Sequence, residues 1–202
     1  PCRVLLHGSG VPAEKLPQGA AVVSPAEDEE FLAVNAELTA EGAIAEMMQR
    51  PGQAVMGSTC VITGFGRIGK SLAVRLCALG AFVVVCARSE VQMRQAHDMG
   101  AHPVPLASVS SALRHADALV NTVPARLFGW EELRQIKKGA LYIELASRPF
   151  GADPALAEHL GVNMAIKSGL PGRYAPLRAG EALFTAAERA IQKLGVRGGE
   201  TD

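Results

Sequence analysis

Three glycines at fixed spacing carry the strongest chemical signal in this chain. They stand in Thr59-Cys-Val-Ile-Thr-Gly64-Phe-Gly66-Arg-Ile-Gly69-Lys-Ser: a short apolar run, then Gly-x-Gly-x-x-Gly, then the first turn of a helical pattern. The chemistry this suits is the binding of a pyrophosphate. Gly64 permits the tight turn out of a strand, Gly66 leaves no side chain between backbone and phosphate, and Gly69 lets the helix pack closely on the strand. The helix N-terminus then presents free N–H groups and the positive end of its dipole. Phe65, Arg67 and Ile68 lie between the glycines and are expected in the same cradle. The bland alternative is an ordinary Gly-rich turn, since 21 of 202 residues are glycine. The setting favours the dinucleotide reading: an amphipathic stretch follows, and a second apolar run, Phe82–Cys86, ends about 20 residues on.

In such a βαβ unit the second strand usually ends in an acid that hydrogen-bonds the ribose 2′-OH. Here it ends Val85-Cys86-Ala87-Arg88-Ser89. An arginine can form a bidentate charged pair with a 2′-phosphate and a serine can add a hydrogen bond, whereas an acid would repel it. Ala87, Arg88 and Ser89 therefore favour NADP over NAD. The competing possibility is that Glu90 takes the ribose and Arg88 is a solvated surface residue, which leaves NAD possible.

The elements that must position these residues alternate along the chain. Short strands are expected at 3–7 and 21–24, and a short helix over Asp28–Val34. A second helix starts at Thr39 as N-cap, has Glu41 in its first turn, and stops before Pro51. From Thr59 onward come strand 60–63, helix 67–79 capped by Gly80, strand 82–86, and a helix opened by a Ser89/Gln92 capping box. Strands at 102–106, 118–122, 141–146 and 162–166 follow, with helices at 108–115, 130–136, 153–160 and 176–194. This order predicts an α/β fold, a doubly wound parallel sheet of Rossmann type with part of a second, N-terminal α/β domain. The expected division is residues 1–50, a partial N-terminal domain; 51–175, the dinucleotide-binding domain; and 176–202, a C-terminal helix packing back toward the first part.

Bulk properties narrow the partners. Twenty basic and 20 acidic residues give a formal net charge of zero, which argues against nucleic acid as a partner. No apolar run reaches the roughly 18 residues of a membrane span, and no signal-peptide pattern stands at the start. Cys2, Cys60, Cys77 and Cys86 form no C-x-x-C pair and are expected as free, mostly buried thiols in a reducing compartment. No His/Cys/Asp cluster has metal-ligand spacing. The chain opens on Pro1 and its first strand follows almost at once, so it is expected to be a piece of a longer protein.

Several segments together resemble the A subunit of bacterial dipicolinate synthase, a sporulation family. They are Asn35-Ala-Glu-Leu-Thr-Ala-Glu-Gly-Ala-Ile44, Gly64–Gly69, Asn121-Thr-Val-Pro-Ala125, Glu144-Leu-Ala-Ser-Arg-Pro-Phe-Gly151, and Gly169-Leu-Pro-Gly-Arg-Tyr-Ala-Pro176 with Ala179-Gly-Glu181. Phe150 departs from the glycine expected there. The resemblance implies an NADP-dependent oxidation of a dihydrodipicolinate-type precursor to pyridine-2,6-dicarboxylate. It implies a flavoprotein-like partner, the B subunit of dipicolinate synthase. It also implies oligomer formation and the mother-cell cytoplasm of a spore-forming bacterium.

A small dicarboxylate substrate calls for cations near the carboxyl ends of strands. Arg148 and Arg173 are the candidates, with Ser147 and Gly169 beside them and Lys167 as a weaker choice; for each arginine a solvated surface charge is an equal alternative. Thr122, Val123 and Pro124 are expected to line the nicotinamide side. Thr39 and Glu41, with Asn35, sit where the two domains would meet; a cap is the stronger reading of Thr39 and a substrate contact the other. The proton-abstracting group is unknown: His7, His97, His102, His115 and His159 are scattered, and none is nominated. Two other functions compete. One is a different two-domain NAD(P)-dependent dehydrogenase of a hydroxy or amino acid, which would show a catalytic His or Lys. The other is a non-catalytic dinucleotide-sensing module, which would need no second polar crevice.

Overall fold

The computed structural model describes residues 4–6, 21–50 and 54–193; Cys2, His7 and residues 51–53 lie outside them. In chain order the first strands, β1 (Val4–Leu6) and β2 (Ala21–Val23), pair in parallel as a separate two-stranded ladder. Helix α1 (Glu29–Met48) follows. The main unit then runs β3 (Thr59–Thr63), α2 (Arg67–Ala78), β4 (Phe82–Ala87), α3 (Glu90–Asp98), β5 (His102–Pro105), α4 (Val109–Leu113), β6 (Ala118–Asn121), α5 (Trp130–Leu133), β7 (Leu141–Glu144), α6 (Pro154–His159), β8 (Asn163–Ile166), α7 (Leu170–Tyr174) and α8 (Pro176–Lys193).

The six later strands form one parallel sheet in the order β5-β4-β3-β6-β7-β8. The chain enters at β3, winds outward to β5, returns beside β3 as β6 and winds outward the other way. This doubly wound order opens a crevice at the carboxyl ends of β3 and β6, where the winding reverses. The Val- and Ile-rich strands are buried on both faces, as a covered parallel sheet requires. Alternate side chains serve opposite layers. Ile62, Val83, Val85 and Ile143 pack with α1, α2, α3 and Leu170 of α7. Val61, Val84, Leu119 and Tyr142 pack with α4, α5 and α6. Leu72 and Leu76 of α2 are fully buried, each burial contributing about 1.5–3 kcal/mol. Gly80 ends α2 as expected: at φ +78 it lets its own amide reach Cys77 O and the Ala81 amide reach Leu76 O.

Two local expectations are corrected. The helices expected before and after Thr39 are one helix, α1, because residues 29–48 hold no proline and are rich in Ala, Glu and Met. Asp28 is its N-cap, accepting from Phe31 N at 2.8 Å. Thr39 lies mid-helix and buried, its hydroxyl donating to Asn35 O at 2.6 Å, so the i−4 carbonyl satisfies it and it caps nothing. The Ser89/Gln92 capping box is also absent. Ser89 occupies the N-cap of α3 without a side-chain bond, and Gln92 Nε2 donates to Phe65 O at 3.4 Å instead.

Helix α1 precedes the division expected at residue 50, yet Ala40, Ala43, Ile44 and Met47 belong to the sheet's own core. It runs alongside α2, with Glu29 on Arg67 and Glu41 on Arg75 at 3.5 Å. Gly42 allows α7 to approach: a Cβ there would stand 2.8 Å from Leu170 Cβ. Helix α8 packs across α1, α7 and β2. Arg189 holds the α1 cap bidentately, Nε to Asp28 Oδ2 and Nη2 to Oδ1, both at 2.8 Å.

Candidate dinucleotide site

The three motif glycines have three separable reasons to be glycine. Gly64 turns the chain with φ +90, and a Cβ there would lie 2.5 Å from Thr122 Oγ1 and 2.7 Å from Val123 Cγ2. A Cβ on Gly69 would lie 2.3 Å from Gly64 O, so the first turn of α2 touches the strand end directly. Gly66 meets nothing within 4 Å; its bare backbone faces the open crevice. Two glycines thus serve packing, and the third leaves the room a phosphate group needs. Phe65 is buried beneath the turn, and Gln92 holds its carbonyl.

Gly64 to Ile68, Ala87, Arg88 and Thr122 to Pro124 converge on this crevice, and Leu32 and Asn35 of α1 close one side. Gly69 lies beneath the turn rather than on the lining, and Ser89 is exposed next to it. Arg67 reaches the crevice and is paired with Glu29. No carboxylate lines the crevice among the described residues. Glu90, the competing ribose partner, is exposed and lies 3.9 Å from Arg94 of its own helix. Cys86, also on the lining, is inert: burial pushes its thiol up to about 12.

On the far side of the reversal, the strand ends carry polar residues that sequence reasoning gave no role. Asn121 closes β6 and Glu144 closes β7; both are 0% exposed. Asn121 Oδ1 accepts from Thr63 Oγ1 at 2.7 Å, and its Nδ2 donates to Glu144 Oε1 at 2.7 Å. Burial and the neighbouring Glu144 push the Tyr142 phenol well above its usual range, so it stays a hydrogen-bond donor to Glu144 Oε2, at 2.7 Å. A signal was available, since Leu-Val-Asn and Tyr-Ile-Glu place a polar residue where an apolar strand reaches the ligand-binding edge.

The residues expected to hold substrate are spread over separate elements, and none lines this crevice. Ser147 and Arg148 are exposed on the loop after β7. The Arg148 guanidinium lies 5.1 Å over the Phe150 ring, so the residue that departs from the expected glycine supports that arginine. Gly169 precedes α7 in the left-handed conformation, φ +65. Arg173 and Lys167 both turn to Glu46 of α1, at 3.3 and 2.7 Å, and Tyr174 donates to the same carboxylate at 2.9 Å. Partial burial pushes that carboxyl up, and the bonds from Lys167 and Tyr174 more than offset it, leaving Glu46 below the usual glutamate range. Thr39 and Glu41 face their own helix and α2, respectively. His97, His102, His115 and His159 are exposed. No group of His, Cys, Asp or Glu that could hold a metal ion occurs among the described residues. No helix among them is long and apolar enough to cross a membrane.

The doubly wound sheet and its glycine cradle define a nicotinamide-dinucleotide-binding domain of Rossmann type. Comparison with known proteins agrees: the chain belongs to the family described as D-isomer specific 2-hydroxyacid dehydrogenase, NAD binding domain, which matches residues 30–164. Within that setting it is similar to the dipicolinate synthase A subunit of Bacillus subtilis (strain 168), 30% identical over 168 residues, 83% of this chain and 57% of that protein. The crystal structure of the dipicolinate synthase A subunit from Bacillus halodurans superposes with a TM-score of 0.81 at 31% identity, over 88% of this chain and 60% of that one. The crystal structure of the Bacillus subtilis protein superposes with a TM-score of 0.87 at 28% identity, over 95% and 65%. The chain therefore spans less than two thirds of the length of each of these relatives.

Proposed function

We propose that this chain is the dinucleotide-binding part of an NADP-dependent oxidoreductase of the dipicolinate synthase A-subunit type. Its reaction would convert a dihydrodipicolinate-type precursor to pyridine-2,6-dicarboxylate. The observation that carries this reading is the similarity to dipicolinate synthase along most of the chain. The crevice supports the cofactor choice, because Arg88 lines it and no acid does among the described residues. Residues 51–175 would form the cofactor domain, with residues 1–50 belonging in part to a second domain and α8 returning toward it. By the same similarity the partner would be the flavoprotein-like B subunit, in an oligomer working in the cytoplasm of a spore-forming mother cell.

The nicotinamide supplies the hydride acceptor when bound. Around it, the amides at the start of α2 would hold the pyrophosphate and Arg88, with Ser89, the 2′-phosphate. Thr122, Val123 and Pro124 would wall the nicotinamide end. Arg148, carried on Phe150, would take a substrate carboxylate, with Ser147 beside it; Gly169, Arg173, Thr39 and Glu41 are secondary candidates, because their observed partners face other elements. Aromatisation releases a proton along with the hydride. Besides its two arginines, the only titratable group on the crevice lining among the described residues is the inert Cys86 thiol, so the proton would leave to water or to a group of a partner.

The deciding experiment mixes the full chain with its flavoprotein-like partner, the dihydro precursor and NADP, and follows NADPH formation. Turnover supports the reading, and its absence sinks it. Dinucleotide binding without turnover in any complex favours the sensing module. Arg88→Ala tests the cofactor arm separately: an unchanged preference for NADP over NAD would remove Arg88 from the argument.

A further inference from the structure

The carboxyl ends of β3, β6 and β7 are joined by one buried chain of hydrogen bonds, from Thr63 through Asn121 to Glu144. Two of its members each hold a loop. Asn121 clamps the loop after β6, accepting from Val123 N at 3.1 Å and donating to Val123 O at 3.0 Å. Glu144 clamps the loop after β7 at both ends, its Oε1 accepting from Ala146 N at 3.0 Å and its Oε2 from Gly151 N at 2.8 Å. With Asn121 and Tyr142, four donors converge on two carboxylate oxygens. A carboxylate satisfies all four; a glutamine of the same shape would turn its own N–H groups toward two of them. Gly151 has no room for a side chain, because a Cβ would lie 2.6 Å from Asn121 Nδ2 and 2.7 Å from the Tyr142 hydroxyl.

Stability alone does not explain this carboxylate. None of its four partners is a cation, and burying a charge is costly where an apolar side chain of similar volume would pack. What it does is geometric. The loop at 122–124 borders the crevice directly and fills the space beside Gly64. The loop at 146–151 carries Ser147 and Arg148.

We infer that Glu144 is a positioning residue of the dinucleotide site: through Asn121 it holds the loop at 146–151 in fixed register with the loop at 122–124, and so sets the nicotinamide end of the crevice. The inference rests on the crevice being a dinucleotide site and not on the identity of the substrate.

The test compares two probes on the full chain, NADPH and its adenine-end fragment adenosine 2′,5′-bisphosphate. In Glu144→Gln the fragment binds within about twofold of wild type, while NADPH weakens at least about fivefold, the loss expected for one misplaced hydrogen-bonded contact. The fluorescence of bound nicotinamide also shifts toward that of free NADPH. A general loosening of the fold would weaken both probes in the same ratio. Tyr142→Phe keeps the carboxylate, removes one donor, and moves the ratio the same way by a smaller factor; it carries the test if the glutamine variant does not fold. An unchanged NADPH-to-fragment ratio in a folded variant, or equal loss of both, overturns the inference. Where wild type binds NADH instead, the same ratio is read with NADH and ADP, so a wrong cofactor assignment does not obscure the answer.

Discussion

The two sides of the crevice are built by opposite means. Between β3 and β4 the walls depend on side chains that are not there: Gly64 makes room for Thr122, Gly69 for the strand end, and Gly66 leaves open space. Between β6 and β7 they depend on side chains fully engaged with one another, Asn121, Glu144 and Tyr142. The first design tolerates any neighbour that keeps its distance. The second tolerates almost no change, because each donor removed from water must keep its acceptor.

Substitutions can break that contrast, the largest effect first. Glu144→Ala strands four donors in the interior, and chemical denaturation should show a loss of about 3–5 kcal/mol or failure to fold. Gly69→Ala drives a methyl against the Gly64 carbonyl, where only backbone movement gives relief, and should cost about 1–3 kcal/mol by the same measurement. Gly66→Ala should change stability by less than about 0.5 kcal/mol, while dinucleotide affinity, read by fluorescence titration, falls about tenfold as the methyl enters the phosphate's space. A stable Gly69→Ala protein, or a Gly66→Ala protein with full affinity, would erase the distinction between packing and ligand glycines.

The brace outside the crevice responds to pH. Glu46 titrates below its ordinary value of 4.5, so its contribution is present at neutral pH and is lost as the pH falls below that value. Glu46→Gln should therefore be less stable than wild type by about 1–2 kcal/mol at pH 7, with the gap closing in acid. Smallest is Phe150→Gly, which removes the ring under Arg148. It should cost about 0.5–1 kcal/mol of whatever binding Arg148 provides, read as dicarboxylate affinity of the dinucleotide complex.

The same contrast explains what could be read before the fold was known. The glycine cradle is contiguous in sequence, and Gly64 and Gly69 each have a local reason for their identity, so its spacing announced the turn. The alternating strands and helices were equally legible, because burial on both sheet faces leaves continuous apolar runs. Thr63, Asn121, Tyr142, Glu144 and Gly151 meet only after three strands lie side by side, and no spacing rule connects them. Thr39 misled for a related reason: Thr is a common N-cap, and only the continuity of α1 gives its hydroxyl the Asn35 carbonyl. Arg173 and Lys167 looked free because Glu46 stands more than a hundred residues earlier in the chain.

Asp28 caps α1 and receives Arg189 of α8 at a sequence separation of 161 residues. That pair is a statement about order in time as well as about geometry. So wide a loop closes at high entropic cost until the strands between have assembled. Helix α8 follows every strand of the sheet in chain order, so the first turn of α1 cannot gain this restraint before residue 189 has been made. A chain still being synthesised would hold the complete glycine cradle while this clasp was open.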